Sequence, residues 1–160
     1  KQYEFFIKSL VDAELNFYTV LTVNPLFKAC GEKQSGANWK CFFYCKEKGQ
    51  CTDNGVVFLD LIESNVNFAR YTPFKAFEKK VPKYSIVAYI LKKDNYGISV
   101  SGNPFLKGNR GKIDLSEIAK KYGGGGHKDA AGINCKTKDE VYFIMQQIGD
   151  ELESLLKPAS

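Results

Sequence analysis

Four adjacent glycines, Gly123, Gly124, Gly125 and Gly126, run directly into His127, the single histidine of the 160-residue chain, and Ala130, Ala131 and Gly132 close the segment. A glycine run suits neither a helix nor a strand interior. Bare backbone that accepts positive φ lets successive N–H groups aim at an anion, and the ligand group this arrangement suits is a phosphate. His127 adds a donor whose charge is tunable near neutral pH. The small residues that follow permit close approach of the returning backbone, either to a ligand or to a packed helix. Lys107, Arg110, Lys112, Lys120, Lys121 and Lys128 flank the run in sequence, as an electrostatic funnel for an anion or as a solvated lysine-rich face.

Two other stretches carry chemically useful residues. Over 68–80, Phe68, Arg70, Tyr71, Phe74, Lys75, Phe77 and Lys79 alternate rings with cations, a pattern that suits base stacking with phosphate contacts or the edge of a core. Cys41, Cys45 and Cys51 lie close together with Cys30 upstream. Four thiolates can surround one zinc, but this spacing lacks the tight pairs of a structural zinc site and reads as buried or free thiols. Cys135 reads as a small core residue. The odd total of five cysteines forms no disulfide framework and places the chain in a reducing compartment, the cytoplasm.

The elements that must position these residues follow from periodicity and caps. Phe5, Phe6, Leu10, Ala13, Leu15, Phe17 and Val20 form a loose helical stripe over 2–23. Residues 28–54 read as loop or irregular hairpin around Trp39, Phe42, Phe43 and Tyr44. Strands are expected over 55–62, 83–92, 96–101 and 131–135, with Lys93-Asp94-Asn95 as a hairpin turn. Asp114 with Glu117, and Thr137 with Glu140, have the spacing of capping boxes that open two helices. The first ends near Tyr122 with Gly123 as its C-terminal cap, and the second carries Val141, Ile144, Met145, Ile148, Leu152 and Leu155 on one face. The fold class is α/β: a mixed β-sheet of about five strands with packed helices, preceded by an N-terminal helix. Residues 1–54 form that helix and an irregular linker, and 55–160 the main domain. The 44% hydrophobic content excludes a disordered chain, the net charge of +5 is compatible with an anionic substrate, and no apolar stretch is long enough to span a membrane.

The sequence Ile113-Asp114-Leu115-Ser116-Glu117-Ile118-Ala119, followed by Tyr122-Gly123-Gly124-Gly125-Gly126-His127 and Ala130-Ala131-Gly132, resembles the Asp-His-His phosphoesterase superfamily. The likeness is to its C-terminal DHH-associated domain, which pairs with a catalytic domain in RecJ-type exonucleases, oligoribonucleases, pAp phosphatases and cyclic-dinucleotide phosphodiesterases. It covers the chain from about Gly55 to the end. It implies that Gly123 to Gly126 and His127 bind a substrate phosphate or terminal nucleotide and present it to two divalent ions, Mn or Mg, held by the other domain. No cofactor is implied in this chain.

That family also tends to place an Arg in a Ser-x-Arg-like pattern where this chain reads Ser99-Val100-Ser101-Gly102-Asn103. Gly102 stands in the place of the Arg, so Asn103, Arg70 and Arg110 become the candidates for the missing substrate contact. The Asp-His-His motif itself is absent, and Asp12, Asp53, Asp60 and Glu63 are scattered, whereas two-metal hydrolysis needs several ligands converging on one ion pair. A chain that opens on Lys1 reads as one whose catalytic half has been removed. The resemblance therefore implies a nucleotide-binding domain of a phosphoesterase, acting on short oligonucleotides or nucleotides and partnered by a catalytic DHH domain. The alternative is a stand-alone RNA-binding or dimerisation module related to the alanyl-tRNA synthetase C-terminal domain, with the helix over 138–156 as the element that pairs two copies.

Overall fold

The computed structural model describes residues 38–92, 95–109 and 111–157. The chain divides into two compact units, Lys1–Trp39 and Lys40–Ser160, and the second carries the sheet. The expected helix over 2–23, Cys30, Arg110 and most of the 93–95 turn lie outside the described residues.

The second unit opens with a helix over 40–48, α1, followed by β1 (Gln50–Cys51), β2 (Val56–Asp60), α2 (Thr72–Ala76), a 3-10 turn (Glu78–Lys80), β3 (Tyr84–Lys92), β4 (Asn95–Gly102), α3 (Leu115–Lys120), β5 (Gly125–His127), β6 (Ala130–Cys135) and α4 (Lys138–Leu156). Among the described residues the strands form one six-stranded mixed sheet in the order β1-β2-β3-β4-β6-β5. Only β2 and β3 are parallel, joined by the crossover that contains α2; the other pairs are antiparallel.

Alternation along the strands divides the sheet into two faces. On one face Val56, Ile86, Ala88, Ile98, Val100, Ala131, Ile133 and Cys135 meet Leu115, Ile118 and Ala119 of α3 and Val141, Ile144, Met145, Ile148 and Leu152 of α4. Each large aliphatic side chain removed from water here contributes about 1.5–3 kcal/mol. Leu155, expected on that stripe, is 56% exposed. On the other face Leu59, Leu61 and Val87 pack with Cys45 of α1, bordered by Phe68, Phe77 and Tyr89.

Three elements differ from expectation. Residues 40–48 are helical, not irregular, because Cys41 and Cys45, one turn apart, are both fully buried. The sheet has six strands, β1 and β5 being the unexpected short ones. The glycine run is not purely loop: Gly125 and Gly126 belong to β5 and pair with Gly132 and Ala131.

Candidate functional site

Both ends of α3 are fixed by local chemistry. At its start one carboxylate oxygen of Asp114 accepts from Ser116 N at 2.9 Å, Glu117 N at 3.4 Å and Ser116 Oγ at 2.6 Å. These bonds, with the Ser116 hydroxyl foremost, hold the Asp114 carboxyl below its ordinary range. At its end Gly123 takes φ +71°, and the N–H groups of Gly123 and Gly124 donate to the Lys120 and Ala119 carbonyls at 3.1 and 2.9 Å. A Cβ on Gly124 would stand 2.4 Å from Gly132 O and 2.6 Å from Ile133 Cγ1. Its bareness lets the end of α3 lie directly on β6. Gly126 has φ +145°, and a Cβ there would stand 2.6 Å from Ala130 O. Gly125 differs from all three, having neither a positive φ nor any atom within 4 Å of where its Cβ would be. Packing explains Gly124 and Gly126, capping explains Gly123, and neither explains Gly125.

Strand register carries Gly125 and His127 into two rows that cross the sheet on the face opposite the α3–α4 core. Directly opposed residues share a face, so Ser85, Ser101, Ala130 and His127 form one row, and Val87, Ser99, Gly132 and Gly125 the next. The cover over this face ends between β4 and β6: Ser101 and Ser99 are buried, Ala130 is half-buried, and Gly132 is exposed. Among the described residues the Ser101 hydroxyl, though buried, has no hydrogen-bond partner, and neither does that of its cross-strand neighbour Ser85. Ser101 lines a cleft of about 80 Å³ together with Arg70, Tyr71, Gly102, Asp129 and Ala130.

The hairpin joining β5 to β6 sets the histidine. Asp129 N donates to His127 Nδ1 at 3.2 Å, so in the neutral ring the proton sits on Nε2, as a donor on a side chain that is 71% exposed. In the protonated ring Nδ1 instead faces Asp129 Oδ2 at 3.6 Å. Asp129 is itself held, accepting from Gly111 N at 2.5 Å through Oδ1 and from Gly102 N at 2.9 Å through its carbonyl.

The structure thus gathers Gly125, Gly126 and His127 on β5, with the β6 end of the His127 row bordering the Arg70 cleft. Asn103 is placed differently. Its amide donates to Pro82 O at 2.6 Å, its Oδ1 accepts from Phe105 N at 2.9 Å, and the residue is buried; its polar groups build the loop after β4. A Cβ on Gly102 would meet nothing closer than 3.6 Å, so packing does not require glycine there. Of the flanking lysines, Lys120 pairs with Glu117 and Lys121 with Glu151, each at 2.6 Å, while Lys128 runs along Gly111. Within 68–80, Phe74 is buried, Phe77 packs in the core and Phe68 stacks on Tyr89 at 5.3 Å, whereas Tyr71 is 47% exposed.

Sequence reading missed Ser99, Ser101 and Asp129 as site residues. The Ser-x-Ser alternation against Ile98 and Val100 was the available signal, since it puts both hydroxyls on one face. No three His, Cys, Asp or Glu side chains gather as metal ligands among the described residues. Burial pushes the Cys45 thiol up to about 12 and raises Cys41 and Cys51 as well. Among the described residues no helix is long and apolar enough to cross a membrane.

Comparison with known proteins gives a consistent fold. The pGpG-specific phosphodiesterase PggH from Vibrio cholerae superposes with a TM-score of 0.70 at 21% identity, over 98% of this chain and 51% of that one. An exopolyphosphatase-related protein from Bacteroides fragilis superposes with a TM-score of 0.59 at 14% identity, over 99% of this chain and 45% of that one. The chain therefore spans about half the length of these two, and at such identities the likeness is one of fold. The C-Ala domain of Aquifex aeolicus alanyl-tRNA synthetase is more distant, with a TM-score of 0.42 at 15% identity, over 69% of this chain and 99% of that one. No curated protein matches the sequence. The model of the DHHA1 domain matches residues 75–154, half of the chain, from α2 to the last turns of α4, and the chain belongs to that DHH-associated family.

Proposed function

We propose that this domain is the substrate-holding part of a DHH-type phosphoesterase acting on short oligonucleotides or nucleotides. The observation that carries the reading is the pair of cross-strand rows that end on Gly125 and His127, bordered by the cleft that Arg70 and Ser101 line. A phosphate over these rows accepts from His127 Nε2–H. The Arg70 guanidinium offers donors from the cleft side. Gly125 and Gly132 leave the backbone bare beneath it, and Asp129 orients the imidazole.

The divalent ions that the family implies do not fit the described residues, which present no cluster of carboxylates and imidazoles. No hydrolytic step is assigned to this chain; its residues bind and orient, and a catalytic DHH domain is the partner that would cut. The names of the two superposing proteins, a phosphodiesterase and an exopolyphosphatase-related protein, agree with a phosphate ester or anhydride as ligand.

Calorimetric titration of the 160-residue chain with 5′-phosphorylated diguanylate tests the proposal. His127→Ala is expected to weaken binding by about tenfold, the loss of one hydrogen bond to a charged group. Equal affinity in the two proteins would reject the site.

A further inference from the structure

Two atoms of Asp129 compete for one nitrogen of His127. Nδ1 lies 3.2 Å from Asp129 N, which donates to it, and 3.6 Å from Asp129 Oδ2, which can only accept. The first contact needs a neutral ring and the second a protonated one, so the hairpin holds a partner ready for either charge state. Asp129 is fixed beside the ring from both sides. Its Oδ1 accepts from Gly111 N at 2.5 Å and its carbonyl from Gly102 N at 2.9 Å. Oδ2 is left, among the described residues, as the carboxylate oxygen without a hydrogen-bond donor, and it faces the imidazole.

The other titratable groups near β5 are committed elsewhere. On α3, which packs against β5, Lys120 and Lys121 pair with Glu117 and Glu151, and Asp114 caps the helix. β6 carries no acid or base between Ala130 and Asn134, and the Cys135 thiol and Tyr84 phenol are buried and held neutral, both pushed up chiefly by burial. Around Asp129 stand cations: Lys112 next to Gly111, Lys128 along it, and Arg70 in the cleft. In the empty site they oppose a further positive charge on the exposed ring. A phosphate reverses that balance.

We infer that His127 binds phosphate as the imidazolium, with Nε2–H on the ligand and Nδ1–H turned to Asp129 Oδ2, so that binding takes up one proton and Asp129 is the positioning residue of the charged ring. This rests on the phosphate site proposed above and adds the charge state in which that site works. The ring starts with its proton on Nε2, solvent supplies the second proton to Nδ1, and Asp129 N gives up its acceptor as Oδ2 gains a donor. The exchange favours binding because a charge-assisted hydrogen bond is about twice as strong as a neutral one.

His127 is the single histidine of the chain, so its ring-nitrogen NMR signals report this site alone. The 160-residue chain is titrated with 5′-phosphorylated diguanylate at about pH 7.5, above the ordinary imidazole value of about 6.5. The free chain is expected to show a neutral ring protonated on Nε2, and the saturated complex a ring protonated on both nitrogens. Asp129→Asn keeps the backbone N–H and an oxygen for Gly111 but removes the charge, and thermal melting checks its fold. It is expected to keep the free tautomer, to leave the ring neutral in the complex, and to bind about fivefold more weakly at about pH 7.5. That deficit should close by about pH 9.5, where the wild-type ring is neutral too; the ionisation of the ligand is common to both chains. Weakening that is equal at every pH marks a structural role for Asp129 and overturns the inference. A ring that stays neutral in the saturated wild-type complex overturns it as well, and needs no variant. Ring signals unmoved at calorimetric saturation reject the phosphate site itself, whereas signals that move but stay neutral reject the proton uptake alone.

Discussion

The glycine run divides into positions that the fold requires and one that it does not, and alanine substitution should separate them. At Gly124 a methyl group meets backbone on two sides, Gly132 O at 2.4 Å and Ala119 O at 3.1 Å, and Ile133 Cγ1 at 2.6 Å. Backbone cannot swing aside as a flexible side chain can, so relief requires lifting the end of α3 from β6. Overpacking of this kind costs about 1–3 kcal/mol, which for a chain of this size is a fall in Tm of roughly 3–10 °C. Gly126→Ala should fall in the same range, through its φ of +145° and the 2.6 Å approach to Ala130 O. Gly125→Ala meets nothing within 4 Å, and should melt at the wild-type temperature or slightly above it, since Ala narrows the unfolded ensemble by about 0.4–1 kcal/mol. Its methyl group nevertheless stands on the sheet face that carries His127, where a bound phosphate must approach backbone. Scanning calorimetry and nucleotide titration on the three variants read both quantities. A wild-type Tm for Gly124→Ala would refute the packing account, and wild-type nucleotide affinity for Gly125→Ala would refute the ligand account of the third glycine in the run.

Two further outcomes come from the core. Burial pushes the Cys45 thiol to about 12 and the Cys135 thiol to about 11, both from an ordinary 9.0. Between those values the folded chain keeps protons that the unfolded chain releases, so stability is full below about pH 9 and falls as pH rises, by about 1.4 kcal/mol per pH unit for each thiol. Urea midpoints at about pH 8 and about pH 10.5 should differ more in the wild type than in a Cys45→Ala, Cys135→Ala double variant; an equal difference would contradict the burial argument. In α4, a Cβ on Gly149 would stand 2.3 Å from Phe58 Cζ. Gly149→Ala should therefore cost about 1–2 kcal/mol despite its better helix propensity, and Phe58→Leu in the same chain should recover most of it, a non-additivity that denaturant melts of the four-member cycle would reveal.

Features set by neighbours in sequence were legible from sequence. Asp114 and Thr137 cap α3 and α4 as their Glu partners three residues on suggested, and Gly123 ends α3 with the positive φ expected of it. Features set by distant pairing were not. β5 is a strand because β6 runs beside it, not because Gly125, Gly126 and His127 favour extended structure. The helix over 40–48 was hidden because its fully buried face rests on two cysteines, while the bulky Phe43 is 63% exposed. Ser99 and Ser101 alternate visibly with Ile98 and Val100, but what they face depends on register with β6, information that no local window contains.

Register also bears on Gly102, where the family resemblance leads one to expect an Arg. β4 alternates, so a residue at 102 belongs to the face of Ile98 and Val100, the face that α3 and α4 cover. The glycine pairs with Tyr84 and donates its N–H to Asp129 O at 2.9 Å, the residue that also orients His127. Space for a Cβ exists there, with the nearest atom 3.6 Å away, so the fold does not demand glycine and the charge is free to come from elsewhere. Arg70 supplies one on the same cleft, from the segment before α2 and not from β4. A guanidinium arriving from that side shares the cleft with Tyr71. An Arg at 102 would start from the covered face, opposite the rows that carry His127.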